Sequence, residues 1–152
     1  MEQEAIRSQI GSEFADVDVQ VAGPADGSPE IAWGDTFFIH HDDKHRFPFA
    51  TIVTKDYGDF DNRSNVNREG VFRLNIGVSK ETFQSLFAAE AQHDFTALDV
   101  LMPHPVYGEN HWVSVLNPSD ATFTELRPLF EEAYGIAAAR VGKRRQRADG
   151  RT

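Results

Sequence analysis

The sequence predicts one α+β domain, and two kinds of pattern support this prediction. Five short segments rich in apolar and β-branched residues are predicted as strands, two of them with the clear alternation of a half-buried strand. Three other segments repeat apolar residues every three to four positions, which is typical of amphipathic helices. A chain of 152 residues fits one domain, and a domain of this size buries roughly 70% of the surface that its unfolded chain exposes.

The first helix and the first three strands follow from local patterns. A short helix is expected over residues 3–10, and alternating valines predict a strand over residues 17–21. Residues 35–54 are predicted to form a hairpin, whose two apolar arms are joined by the polar connection HDDKHR. A long polar loop follows over residues 56–70, and a loop of this length inside a compact domain is either functional or mobile.

The strongest predictions concern the two strands at 71–77 and 111–117. In the first strand, three apolar residues alternate with Arg73 and Asn75, so one face enters a core and the other carries a cation and an amide. A helix capped by Ser79 follows, with one apolar face: Phe83, Leu86, Phe87 and Ala91. We expect the two strands to share an antiparallel sheet that is backed by the C-terminal helix.

The C-terminal helix has a clear apolar face, and its start is predicted near Glu125. An earlier start would place Pro128 deep inside the helix, where proline removes a backbone hydrogen bond. We expect the domain to span residues 1–139 and a basic, disordered tail to occupy residues 140–152.

The charge is distributed unevenly along the chain. The net charge is −9, yet the segment from Arg140 onward holds six of the 15 basic residues and one of the 24 acidic ones. A body this acidic repels a phosphate backbone, so the tail is the obvious nucleic-acid contact. In this alternative the contacting residues are Lys143, Arg144, Arg145 and Arg147.

Several classes of site have no support in the sequence. The absence of cysteine removes disulfides, thiolate zinc sites and a cysteine nucleophile, and it suits a reducing cytoplasm. The N-terminal segment lacks the features of a signal peptide, and no apolar run approaches the ~20 residues of a membrane helix, so we expect a cytoplasmic protein without a membrane partner. There is no phosphate-binding loop and no dinucleotide fingerprint, and no cofactor is predicted.

Three clusters resemble reactive or metal sites without meeting their requirements. The segment from His40 to His45 contains metal-ligand residue types, but adjacent residues of a strand point to opposite faces, so a solvated hairpin turn is preferred. A calcium loop counted from Asp59 has Ser64 at its glycine position and Gly70 at its glutamate position. His111 and Ser114 lack a nucleophile elbow. Neither a metal site nor a catalytic residue is therefore predicted.

Polar and aromatic side chains near the two central strands form the candidate ligand face. These residue types can recognise an anionic or planar ligand: Arg73, Asn75, His104, Tyr107, His111 and Trp112. The alternative is that the aromatic residues pack, that Arg73 pairs with an acid and that the histidines are exposed. The leading hypothesis is a binding module without evident catalytic machinery, whose partner is an unknown small molecule or protein.

A small enzyme with a histidine acid/base is a further alternative, since histidine titrates near neutrality. It requires His104 or His111 to lie within hydrogen-bonding reach of a carboxylate in a concave site. Imidazoles that point separately into solvent would argue against this function.

Longer motifs resemble two families. The segments PFATIVTKDY, FRLNIGVSKETF, ALDVLMPHPVY and VLNPS resemble a family known as domain of unknown function 6194, over most of residues 5–138. More distantly, VFRLNIGVSKETF, HWVSVL and LRPLFEEAY are similar to the MmcQ/YjbR-like family. The resemblance implies a two-layer α+β domain, in which an antiparallel sheet of about five strands packs against N-terminal, central and C-terminal helices. The wider family is labelled DNA-binding, and neither family implies catalytic residues.

Overall fold

A six-stranded antiparallel sheet organises the computed structural model, which describes residues 1–149. The strand order is β1-β2-β3-β4-β6-β5. In chain order the elements are α1 (Gln3–Glu13), β1 (Val17–Val21), β2 (Thr36–His40), β3 (Pro48–Val53), β4 (Arg73–Gly77), α2 (Lys80–Leu86), β5 (Met102–Pro103), β6 (Trp112–Leu116) and α3 (Asp120–Asp149). The α+β prediction is confirmed, as is the antiparallel pairing of the two central strands, β4 and β6. Within residues 1–149, no helix is long and apolar enough to cross a membrane.

One face of the sheet packs against α1 and α3 to form the core. Alternate residues of β2, β3, β4 and β6 supply the sheet side of this core: Phe38, Ala50, Ile52, Leu74, Ile76, Val113 and Val115. The helices supply Ile6, Ile10, Phe14, Phe123, Leu126, Phe130, Ala133 and Ala137. Each large apolar side chain buried in this way contributes roughly 1.5–3 kcal/mol.

The opposite face of the sheet is polar, and two irregular segments cover it. In the paired strands, Thr51 lies beside Asn75, and Asn75 lies beside Ser114. Residues 56–70 supply the buried Asp61 and Ser64 above this face, and residues 98–110 supply the buried His104. The long loop predicted at 56–70 therefore packs over this face and buries Asp61, Ser64 and Val66, while most of its other residues stay exposed.

Helix α3 starts earlier than predicted. Ser119 caps it by accepting the backbone N–H of Thr122 at 3.1 Å, so the helix begins at Asp120 instead of near Glu125. Pro128 lies inside the helix and on its exposed side. Thr124, four residues earlier, loses the N–H partner of its carbonyl group and is itself exposed, so water can take the place of that partner.

The far end of α3 is also longer than the sequence suggests. The helix includes residues 140–149, within the segment predicted as a disordered tail, and residues 150–152 lie outside the described residues. The reason is tertiary: Val141 is buried, and both Arg140 and Arg144 hydrogen-bond to Asp43 on the β2–β3 connection. Sequence patterns within the tail contain no sign of this distant partner.

Smaller differences concern the other elements. Helix α1 continues past residue 10 to Glu13, whereas α2 begins after the predicted Ser79 cap and ends at Leu86. The segment before His104 contains the short strand β5, which pairs with β6. This strand raises the count from the predicted five to six.

Candidate functional site

A buried arginine lies at the centre of the predicted ligand face. Arg73 is 1% exposed, and it binds Asp61 with two parallel contacts, from Nη1 to Oδ1 at 3.0 Å and from Nη2 to Oδ2 at 2.5 Å. Its Nη1 also donates to Ser64 Oγ at 3.1 Å. Burial raises the pKa of Asp61, but the hydrogen bond and charge of Arg73 outweigh that effect and lower it. The pair is therefore ionised at neutral pH.

An amide on the same strand connects this ion pair to the neighbouring strands. Arg73 Nε donates to Asn75 Oδ1 at 2.9 Å, and Ser114 Oγ donates to the same oxygen at 2.8 Å. Asn75 Nδ2 in turn donates to Thr51 Oγ1 at 3.0 Å. We call these residues, together with His104, the Arg73 network: Thr51, Asp61, Ser64, Arg73, Asn75, His104 and Ser114.

His104 completes the network as a neutral imidazole. Its Nε2 lies 3.1 Å from Arg73 Nη2, while its Nδ1 faces the backbone N–H groups of Val106 and Tyr107 at 3.0 and 2.9 Å. A neutral imidazole accepts at only one nitrogen, so it hydrogen-bonds with one of these two sets of donors and not with both. Burial, and then the charge of Arg73, lower the pKa of His104 to about 3 against the opposing charge of Asp61.

The other three predicted ligand residues lie outside the network. Tyr107 is half-exposed and packs on the His104 ring, with 5.0 Å between the ring centroids. His111 adopts a positive φ of 67° at the end of a 3₁₀ turn, and its ring packs 5.6 Å from that of Phe83. The indole of Trp112 lies against Gly77, where a Cβ atom would come within 3.0 Å of Trp112 Cε2.

The structure thus brings Arg73, Asn75 and His104 together in a closed network instead of on an open face. All three are buried, and four of the five Arg73 N–H groups donate to oxygen while the fifth faces His104. This matches the alternative in which Arg73 pairs with an acid. It also shows how residues 56–70 are held on the sheet.

The two histidines of the enzyme alternative do not converge. His104 contacts Arg73, whereas His111 packs on Phe83, and in residues 1–149 neither imidazole hydrogen-bonds to a carboxylate. With its pKa lowered to about 3, His104 does not titrate near neutrality. The arrangement therefore lacks the geometry that this alternative requires.

The β2–β3 connection differs from the solvated turn predicted for it. Asp43 is 1% exposed and accepts the backbone N–H of His45 at 2.9 Å. His40 is buried and stacks on Tyr134, whereas His41 is exposed and pairs with Asp18 at 2.8 Å. The described part of the chain contains no group of three or more His, Cys, Asp or Glu side chains that could hold a metal ion.

Two acids in or beside the calcium-like stretch bind protein groups. Asp61 is bound to Arg73, and Asp56 accepts the backbone N–H of Val66 at 2.8 Å. Both carboxylates thus stabilise the path of the loop over the sheet.

A basic cleft lies between the β2–β3 connection and the last turns of α3. It has a volume of about 780 Å³ and is lined by His41, Asp42, Asp43, Lys44, His45, Arg46, Val141, Arg144, Arg145 and Arg147. We call it the basic cleft. Five of these residues are lysine or arginine and two are aspartate. The volume lies within the range of small-molecule sites, roughly 300–1,000 Å³.

Ion pairs fix part of the basic cleft and leave the rest exposed. Arg144 contacts Asp43 at 2.7 Å, Arg145 contacts Asp42 at 2.8 Å, and Arg46 contacts Asp18 at 2.9 Å. Lys44 and Arg147 are exposed at the cleft surface. The hydrogen bond and charge of Asp18 raise the pKa of His41, which adds positive charge to the lining as the pH falls.

The tail residues predicted for nucleic-acid contact do not all lie in the basic cleft. Arg144, Arg145 and Arg147 line the basic cleft, while Lys143 lies on the adjoining surface of α3 beside Ile136 and Ala139. The sequence signal for this site, a basic C-terminal segment, was visible. The other half of the lining, 101 positions away in the case of Asp43 and Arg144, belongs to the β2–β3 connection, for which the sequence predicts a solvated turn.

Comparison with known proteins gives one match. The model of the family of unknown function DUF6194 matches residues 1–146, which is further into the basic segment than the resemblance in the sequence suggested. No curated protein and no solved structure matches the chain. The more distant resemblance to the MmcQ/YjbR-like family therefore stays a prediction.

Proposed function

The chain belongs to the family of unknown function DUF6194, and we propose that it is a small binding module that holds a phosphate-bearing small molecule in the basic cleft. The observation that carries this proposal is the convergence of five lysine and arginine residues on one concavity in a chain with a net charge of −9. A cytoplasmic location is part of the proposal, because the absence of cysteine suits a reducing compartment.

The contacts of Asp43 support a preorganised cleft. Its buried carboxylate binds Arg144 of the cleft lining at 2.7 Å and Arg140, which lies beside the cleft on α3, at 3.3 Å, so the Arg144 guanidinium is held at the cleft wall before any ligand arrives. The Arg144 side chain is 32% exposed, and the donors that Asp43 does not use remain free on its solvent side. Folding has therefore already fixed these donors, and binding a ligand costs little further side-chain entropy.

The donor types favour phosphate among possible anions. Guanidinium groups present paired N–H donors that match two phosphate oxygens, and Lys44 adds a compact charge at the open side. The two aspartates are engaged by Arg144 and Arg145 within the wall, which limits their repulsion of an anion. A phosphate group with two or more charges thus gains most from this lining.

Isothermal titration calorimetry with inorganic tripolyphosphate tests the proposal. Wild-type protein should bind it with an affinity that falls as salt rises, because exposed charges are screened. The double variant Lys44→Gln/Arg147→Gln should weaken binding roughly 30-fold, since each lost charge contact is worth on the order of 1 kcal/mol.

Arg127→Gln is the matched control for this experiment. Arg127 also lies on α3 and is exposed, but it pairs with Glu13 away from the basic cleft. This variant should bind tripolyphosphate as wild type does. No binding, or equal loss in the control and the double variant, would refute the proposal.

Association with nucleic acid, as in the label of the MmcQ/YjbR-like family, is a second candidate function. The spacing of Arg140, Lys143, Arg144 and Arg147 on α3 favours it, because positions three and four apart share one side of a helix. A gel-shift titration should show binding that weakens steeply with salt and that Lys143→Gln/Arg147→Gln reduces. Deletion of residues 140–152 is unsuitable, since it removes the buried Val141 and two partners of Asp43.

A further inference from the structure

An exposed aromatic pair adjoins the basic cleft. Phe47 is 54% exposed, and its ring stacks on that of His45 with 5.8 Å between centroids and 22° between planes. His45 also lines the basic cleft, so the aromatic pair and the cations share a residue. The Arg140 guanidinium lies 5.9 Å from the centre of the Phe47 ring, which orients that ring further.

Resting on the proposed function, we propose that the phosphate-bearing molecule is a free nucleotide, whose phosphates lie in the basic cleft and whose base stacks on His45 and Phe47. A planar base has π faces that stack on an aromatic side chain without regard to base identity. The cleft cations and the stacked rings supply the two kinds of contact that a nucleotide needs. Neither contact alone distinguishes a nucleotide from another anion or from another aromatic molecule.

The position of Phe47 supports this reading of the pair. Phe49, two residues along β3, is 4% exposed and belongs to the core, whereas Phe47 precedes the strand and points outward. The ring is nevertheless held by two neighbours, one of them an arginine bound to the buried Asp43. An aromatic side chain that is both exposed and fixed is suited to receive a flat ligand.

The charge of the whole chain favours a free nucleotide over a nucleic-acid strand. A strand that enters the basic cleft must continue past a body that supplies most of the 24 acidic residues, and each further phosphate is repelled. A single nucleotide places all its phosphates within the cleft. The base needs no sequence-specific contact, because stacking tolerates every base.

The test compares ATP with tripolyphosphate, which carries the same phosphate chain without a nucleoside. Calorimetry without divalent cations, at equal ionic strength, should show ATP binding roughly tenfold tighter, the effect expected of one stacked base. Phe47→Leu should remove this preference and leave the affinity for tripolyphosphate unchanged. Phe60→Leu is the matched control, because Phe60 is 63% exposed on the loop over the other face of the sheet, and it should keep the preference.

The outcomes separate the two proposals. Equal affinity for ATP and tripolyphosphate overturns the nucleotide assignment and leaves anion binding standing, whereas absence of both affinities overturns both. A preference for ATP that survives Phe47→Leu also overturns the assignment, provided that thermal unfolding shows the variant to be folded. If a single-stranded oligonucleotide binds more tightly than ATP at the same salt concentration, the ligand of the basic cleft is a nucleic-acid strand and not a free nucleotide.

Discussion

Arginine meets buried aspartate at two places in this protein, and the two places differ in which partner is accessible. In the Arg73 network both partners are buried, with the arginine 1% exposed and the Asp61 side chain 8% exposed. At Asp43 the carboxylate is fully buried, but its partners Arg140 and Arg144 expose about a third of their side chains. The first pair lies under two loop segments, whereas Asp43 and Arg144 line the open basic cleft and Arg140 lies beside it.

This difference in exposure shows at which of the two places a ligand can find free hydrogen-bond donors. A buried ion pair loses much hydration energy, and it persists only when its hydrogen-bonding groups are satisfied inside the protein. Arg73 meets this condition through four hydrogen bonds to oxygen, and its fifth N–H faces His104, so no donor is left for a ligand. Arg144 needs only some of its donors for Asp43, so the others can serve an anion.

The largest expected effect comes from removing the buried arginine. Arg73→Met leaves Asp61 as an unpaired buried carboxylate, which should lower the free energy of unfolding by about 3–5 kcal/mol. Urea denaturation at pH 7 measures this change. The control Arg127→Met removes the exposed partner of Glu13 and should cost about 0–1 kcal/mol. A similar small cost for both variants would mean that solvent reaches Asp61 and that the network is not closed.

A second experiment sharpens the comparison through pH. The unfolded chain protonates His104 below its ordinary pKa of about 6.5, whereas the folded protein resists protonation until about pH 3. The contribution of neutral His104 to the free energy of unfolding is therefore fully present above pH 6.5, and it is lost as the pH falls from 6.5 toward 3. By linkage the loss should be about 2 kcal/mol at pH 5.

The variant His104→Gln isolates this effect, because the amide keeps a neutral acceptor for Arg73 and does not titrate. Between pH 7.5 and pH 5, wild type should lose about 2 kcal/mol more unfolding free energy than the variant. Urea denaturation at the two pH values gives both numbers, and the difference at pH 7.5 reports the packing cost of the substitution. Equal losses would show that the imidazole titrates as in water, so that the Arg73 network is open to solvent.

The fold could be predicted from the sequence because the patterns that specify its main strands and helices lie within short segments. Alternation in 71–77 specifies one face for the core and another for Arg73 and Asn75, and both assignments hold in the structure. Strand β5 was missed because its two residues form a strand only by pairing with β6. Proline and basic composition argued against a helix at the two ends of α3, and packing against the sheet and against Asp43 outweighed them.

The candidate site was harder to predict, because burial and distant partners determine it. Arg73 and His104 attract attention as isolated residues, yet only the tertiary structure shows that residues 56–70 cover them. The basic cleft joins a hairpin connection to a helix end, and neither segment alone indicates a cavity. A signal was present in the two aspartates of HDDKHR, which can pair with a tail that holds six basic residues.

The smallest expected effect concerns the second aspartate and tests the comparison directly. Asp43→Asn removes the charge that holds Arg140 and Arg144, but the amide oxygen still accepts the backbone N–H of His45. Because both arginines reach solvent, they can be hydrated once released, and the loss of unfolding free energy should be about 1–2 kcal/mol. Urea denaturation beside Arg73→Met measures the contrast. A cost as large as that of Arg73→Met would mean that water cannot replace Asp43 as the partner of Arg140 and Arg144. Their donors would then not be available to an anion either.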